Sequence, residues 1–333
     1  MLVSVGALYW ALKDVDWGGV ATAAREANYW LIAAAAILLC FTIFLRALRW
    51  RVIFHPLKDL NPWYLFGSLN VAYLINNVLP FNVGELARAY LLSELEGISA
   101  TRSLSTIVVE RLLDVVTLLL FLVVLVPFVD IPSRARWSAA FLAIGATAGT
   151  LTLILLSRQR EISMRLIGSM FRIAPERARA KLTDMAQSAL DGFAVLSNPR
   201  VAIELFAWSV VTWLSVSVVV LLGTEAFSLD VGFAAAVFLV IVTTFGFFIP
   251  ATPGSIGVYD GIVIATLTKV FDVPNEAAVS YALIIHLVFY LPPMFLGLGF
   301  LWKERRLWQR TSFLAKLGSF QRDQIEPISG ASG

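Results

Sequence analysis

This chain has one cysteine, Cys40, and two histidines, His55 and His286, among its 333 residues. A lone Cys inside an apolar run excludes a disulfide framework and a thiolate metal site. Two histidines so far apart form no spaced ligand motif. No metal or other cofactor is therefore expected. Charge is also scarce: Asp, Glu, Lys and Arg make up 15% of the residues against 59% hydrophobic, with a mean hydropathy of +0.79. Soluble domains carry about 25% charged residues, so a soluble globular protein is excluded. A Gly-x-x-x-x-Gly-Lys-Ser/Thr phosphate loop is missing, which excludes ATP hydrolysis by that device. The net charge of +3 is explained by membrane topology, and no nucleic-acid partner is expected.

What the chain has instead is long hydrophobic runs, at residues 29–48, 63–79, 112–129, 139–156, 201–223, 232–249 and 277–302. A spanning helix needs about 20 apolar residues, and these runs are too continuous for the alternating strands of a barrel. The expected fold is an all-α, polytopic integral-membrane bundle. Residues 1–12 read as a shortened first helix, too short to span and without the basic start of a signal peptide. Cations cluster at residues 46–58, 158–200 and 303–322. Such clusters mark cytoplasmic loops, which places both termini in the cytoplasm and the chain in the plasma (inner) membrane. Residues 157–200 read either as an amphipathic linker on the membrane surface or as a solvated helix. Residues 1–303 form one transmembrane domain, followed by a partly disordered cytoplasmic tail at 304–333.

With those clusters inside, the chain must recross the membrane between residues 79 and 112, and again between 250 and 276, where no clean span exists. The two gaps resemble each other. Pro80-Phe-Asn-Val-Gly84 and Pro253-Gly-Ser-Ile-Gly257 share the pattern Pro-x-x-Val/Ile-Gly, and each directly follows an apolar span. Pro removes a backbone donor and Gly permits unusual dihedrals. Backbone freed at membrane depth is tolerated only against protein or a wet cavity. The reading is about eight spanning helices with two broken or re-entrant helices, at Pro80/Gly84 and Pro253/Gly254/Gly257. They belong to an inverted-topology repeat of residues 29–130 and 201–302; the plain alternative is two kinked spanning helices.

Ionisable residues at this depth are costly and face a partner or a cavity. The first half offers Glu85 and Arg88 after the break, then Glu110, Arg111 and Asp114 at the head of the next span. Internal ion pairing explains them, as does a site where guanidinium groups and an opened helix end receive phosphate or carboxylate. The second half has no Arg between Arg200 and Arg305. It supplies Asp260 as the counterpart carboxylate and His286, either a buried hydrogen-bonding residue or a titratable part of a pathway. Lys269 reads as a loop or interfacial charge.

The stretch from Leu79 through Gly84, Glu85 and Arg88, followed by Val108-Val-Glu-Arg-Leu-Leu-Asp114, resembles the paired motifs of the lysylphosphatidylglycerol synthase transmembrane family, a flippase-like membrane domain. Pro250-Ala-Thr-Pro-Gly-Ser-Ile-Gly-Val-Tyr-Asp260 is similar to its further motif. The resemblance implies a translocator of lipids with anionic or modified head groups, or of polyprenyl-phosphate-linked lipids. It points to Pro80, Gly84, Glu85, Arg88, Glu110, Arg111, Asp114, Pro253, Gly254, Gly257 and Asp260 as working residues. Ser255 departs from the family's Gly, Asp260 from its Glu, and His286 from an Arg. No aminoacyltransferase domain follows the spans, so an enzyme is not expected. The competing readings are a membrane-embedded head-group enzyme using Glu110 or Asp114 as base, and a non-transporting partner of a glycosyltransferase or lipid synthase. A homo-oligomer is compatible with either.

Overall fold

The computed structural model describes residues 15–55, 58–79, 83–125, 195–246 and 252–305, with the single positions Pro127, Val129 and Thr183. Pro80, residues 1–12, the run at 139–156, most of the 157–200 linker and nearly all of the 304–333 tail lie outside them. Among the described residues the secondary structure is helical: α1 (Trp17–Glu26), α2 (Tyr29–Phe54), α3 (Pro62–Val78), α4 (Gly84–Glu96), α5 (Ala100–Leu125), α6 (Pro199–Ala226), α7 (Gly232–Gly246), α8 (Val258–Val270) and α9 (Asn275–Lys303). Short 3-10 turns precede α6 (Val195–Ser197) and α8 (Pro253–Ser255).

Starts and stops follow local chemistry. The side chains of Asn28, Asn61 and Asn198 cap α2, α3 and α6, and in the last two a Pro follows at the first helical position, where its missing N–H costs nothing. Gly97 ends α4 in the left-handed region at φ +66, a place that favours glycine. Pro292 and Pro293 lie inside α9 without ending it.

The helix lengths repeat. From α2 to α5 they are 26, 17, 13 and 26 residues, and from α6 to α9 they are 28, 15, 13 and 29. At about 1.5 Å per residue a 13-residue helix covers about 20 Å, short of the roughly 30 Å hydrocarbon core. Among the described residues three helices, α2, α6 and α9, are long and apolar enough to cross a membrane. Helix α5 has the length but carries its charges mid-helix.

Two pairs of short helices fold back on themselves. Lys58 Nζ reaches Glu96 Oε2 at 3.0 Å, so the end of α4 lies beside the start of α3. At the opposite end of this hairpin, Gly84 N donates to Asn76 Oδ1 at 2.7 Å. Gly84 sits so close to α3 that a Cβ there would stand 2.1 Å from the Ala72 carbonyl oxygen. In the other pair, Gly246 of α7 packs on Ile262 of α8. Helix α3 runs antiparallel to α9, with Gly67 against Phe300, Asn70 against Gly297 and Asn77 against Tyr290. Helices α2 and α6 pack along their lengths. Asn28 N donates to Ala226 O at 2.8 Å at one end, and Thr42 meets Ser215 at 2.6 Å further along.

Two details correct the sequence reading. The span expected at residues 112–129 begins at Ala100, because Ala100 to Val109 holds no breaker. Glu110, Arg111 and Asp114 therefore lie in the middle of α5 rather than at its head. Arg46 and Arg49, assigned to a cytoplasmic loop, are instead helical and buried in α2, since no helix breaker intervenes before His55 and Pro56. They count as core charges and not as topology signals.

Candidate functional site

The site is built outward from α5. Glu110 and Asp114 are four residues apart and share one helix face, and both are buried. Arg49 of α2 reaches across to them: its Nη2 donates to Glu110 Oε1 at 2.9 Å, and its Nη1 to Asp114 Oδ1 at 2.6 Å and Ser209 Oγ of α6 at 3.0 Å. Trp213 of α6 donates its Nε1–H to the same Asp114 oxygen at 2.9 Å. The α3–α4 hairpin delivers Arg88, whose guanidinium lies 2.6 Å from Glu85 and 3.0 Å from Glu110. It is stacked 4.7 Å over the Trp50 ring. Arg111 pairs with Glu85 and stands 3.6 Å from Asp114.

Three guanidinium groups thus meet three carboxylates, so the cluster is charge-balanced, as enclosure at membrane depth demands. Arg46, over Trp213 at 4.8 Å, adds a further cation at its border. The enclosure is uneven. Arg49 and Arg88 are fully buried, whereas 46% of the Arg111 side chain and 22% of the Glu85 side chain are exposed. Arg111 with Glu85 is the open edge of the cluster. Buried Arg88 Nη2 has no hydrogen-bond partner among the described residues.

The second break is organised by different chemistry. Gly257 N donates to Asp260 Oδ2 at 2.9 Å, which caps α8 from within. Asp260 Oδ1 lies 2.8 Å from His286 Nδ1, and His286 Nε2 lies 3.0 Å from the Gly254 carbonyl oxygen. Gly254 has φ +67 and faces the Tyr290 ring, which a Cβ would approach at 2.7 Å. Pro253 and Gly254 form the turn before α8, and Lys269 is exposed near the far end of that helix.

The two breaks converge on the end of α3. Asn76 holds Gly84, at the start of α4. Asn77 exchanges hydrogen bonds with Tyr290 of α9, donating to its carbonyl at 3.3 Å and accepting from its hydroxyl at 3.1 Å. Its own carbonyl also borders Gly254.

Of the residues singled out from sequence, Glu85, Arg88, Glu110, Arg111 and Asp114 form one cluster, and Asp260, His286 and Gly254 form another. Sequence reasoning missed Arg46, Arg49, Trp50, Trp213, Asn76 and Asn77. A signal existed for two pairs: Arg46 and Arg49 continue a helical run at three-residue spacing, and Asn76-Asn77 is an amide pair inside an apolar run just before Pro80. Nothing local marks Trp50 or Trp213.

Residues 1–297 match the family described as the Lysylphosphatidylglycerol synthase TM region. Two UPF0104 membrane proteins of Methanothermobacter thermautotrophicus are similar. One is 25% identical over 84% of this chain and 87% of its own length, the other 26% identical over 78% and 79%. Glycosyltransferase AglD of Haloferax volcanii is 24% identical over 86% of this chain. The chain spans about half of that protein's length, 51%.

Proposed function

The chain belongs to the lysylphosphatidylglycerol synthase transmembrane family, and from that membership and the buried ion cluster we propose that it is a flippase-like lipid translocator. Its cargo is a phospholipid or polyprenyl-phosphate-linked lipid with an anionic head group, carried between leaflets. The observation that carries the reading is the open edge, where Arg111 is half exposed while its partner Glu85 also touches the enclosed Arg88. An arriving phosphate takes Arg111 over from Glu85, and Glu85 stays held by Arg88. One charge-assisted pair is exchanged for another, and Arg46 at the border of the cluster supplies the fourth cation that the added anion calls for. The acyl or polyprenyl tail stays in the bilayer meanwhile.

The architecture that serves this is the inverted repeat, α2–α5 followed by α6–α9, with α3–α4 and α7–α8 as re-entrant pairs entering from opposite faces. The recurring lengths and the convergence on Asn76 and Asn77 support it. In this arrangement the His55 and Lys58 end is cytoplasmic and the membrane is the plasma (inner) membrane.

Head-group enzymology is disfavoured by the same contacts. Both oxygens of Glu110 and of Asp114 lie against guanidinium groups, so neither carboxylate has an oxygen clear of a cation to act as general base. A second reading has one observation in its favour. The similarity to a glycosyltransferase along half of that protein's length suits a membrane partner for such an enzyme.

Leaflet exchange in proteoliposomes separates these readings, using anionic phospholipids and polyprenyl phosphates with a zwitterionic lipid as control. Wild type accelerates an anionic class, and Arg111→Ala loses at least about tenfold of that rate, the effect of about 1.4 kcal/mol on a barrier. No acceleration of any lipid would overturn the translocator and leave the partner reading.

A further inference from the structure

The two polar sites differ in what they can release. Among the described residues the cations that meet the α5 carboxylates are guanidinium groups, which keep their protons throughout the physiological range. At the second break the cationic partner is an imidazole, which need not. Counting donors and acceptors fixes what that ring holds. The Gly254 carbonyl oxygen only accepts, so His286 Nε2, 3.0 Å away, carries a hydrogen. Asp260 Oδ2 already accepts from Gly257 N. Nδ1 and Oδ1 stand 2.8 Å apart, a distance at which two facing lone pairs repel, so a proton lies between them. With it the Asp260–His286 pair is neutral, and without it the pair carries one negative charge.

We propose that Asp260 and His286 form a proton-binding site that fastens the second helix break to α9, and that this proton is the coupling ion of the transport described above; the coupling rests on that reading. The ring bridges the head of α8, through Asp260, and the turn before it, through Gly254. Release sends the proton to water and leaves a carboxylate facing a neutral imidazole. The Nδ1–Oδ1 contact is then repulsive, the ring turns away, and the Gly254 carbonyl loses its donor. That carbonyl belongs to the residue packed against Tyr290 and Asn77, so loosening it frees the break from the end of α3. The same α3 terminus holds the first break through Asn76, which gives the proton site a physical route to the Arg111 edge.

No other strong charge competes for the ring among the described residues. Tyr259 of α8 lies 4.8 Å and Tyr290 of α9 6.2 Å from it, centroid to centroid. Tyr281 is one further phenol on α9. Helix α3 contributes the phenols of Tyr64 and Tyr73, and α7 has no ionisable residue. Glu276 sits at the opposite end of α9, against Gly19, and Lys269 is exposed. Among the described residues the carboxylate in contact with His286 is that of Asp260.

The chain has two histidines, so His55→Gln leaves a single imidazole for 15N NMR of the full chain in lipid nanodiscs. The expected result at about pH 6 is a protonated or proton-sharing Nδ1 at His286, a signature lost in Asp260→Asn. A bare Nδ1 from about pH 5 to about pH 8 would overturn the proton site whether or not the chain moves lipid. In proteoliposomes a pH gradient changes the lipid exchange rate of wild type, and His286→Gln removes that response. A ring that holds the proton beside transport indifferent to the gradient overturns the coupling and leaves the translocator standing.

Discussion

Arg49 is the residue whose loss is easiest to quantify, because its hydrogen-bond partners among the described residues, Glu110, Asp114 and Ser209, are all buried. Replacing it by Met keeps much of the volume and removes the charge. The variant loses charge-assisted hydrogen bonds to Glu110 at 2.9 Å and Asp114 at 2.6 Å, and a third bond to Ser209 at 3.0 Å. Each charge-assisted bond contributes about 1.5–3 kcal/mol. Arg88 and Arg111 then face three carboxylates, and breaking a buried pair this way costs about 3–5 kcal/mol. The two routes agree on a loss of about 4 kcal/mol. The double variant Arg49→Met/Asp114→Asn restores charge balance and recovers roughly half of the loss. Arg51→Ala is the control: its pair with Asp59 has side chains 37% and 63% exposed, and such pairs contribute under about 1 kcal/mol. Unfolding in mixed micelles of rising denaturing detergent, followed by tryptophan fluorescence, measures all three. The reasoning fails if Arg49→Met loses no more than Arg51→Ala, or if the double variant is less stable than the single one.

Close backbone packing makes a second set of outcomes. Gly84→Ala puts a Cβ 2.1 Å from the Ala72 carbonyl, backbone that cannot step aside, so it costs about 3 kcal/mol or abolishes folded yield. Gly299→Ala meets nothing within 4 Å and changes stability by less than about 1 kcal/mol, toward the stable side by helix propensity; folded yield and the micelle midpoint check both. Trp213→Phe keeps a ring over Arg46 but loses the donor to Asp114. It lowers stability by about 1–3 kcal/mol, and a midpoint within error of wild type would count against that hydrogen bond.

The way the site was and was not legible follows from the same particulars. Glu110 and Asp114 announce themselves as charges in an apolar run, and their four-residue spacing gives the shared face. Their partner Arg49 is 61 and 65 residues away in the chain, and no local pattern ties it to them. It lay at the end of a hydrophobic run, where positive charge usually signals a loop, and was misread for that reason. Arg88 was legible as a charge just after the helix break, but its full enclosure between Glu85, Glu110 and the Trp50 ring was not; the neighbouring Arg111 proves to be the accessible cation.

Sequence by itself determined the solvent, the helical class and those helix starts and stops that carry a local signal. These depend on hydrophobicity summed along the chain and on short-range chemistry: Asn and Pro at helix starts, Gly at ends. Tertiary structure alone decided which charges neutralise one another, which cation stays open, and that Asn76 and Asn77 meet both breaks. Those are contacts between helices, set by the rotation and depth of each helix against its neighbours. The apolar patterns of α2 and α6, nearly uniform around their circumference, leave that rotation undetermined until packing and ion pairing fix it.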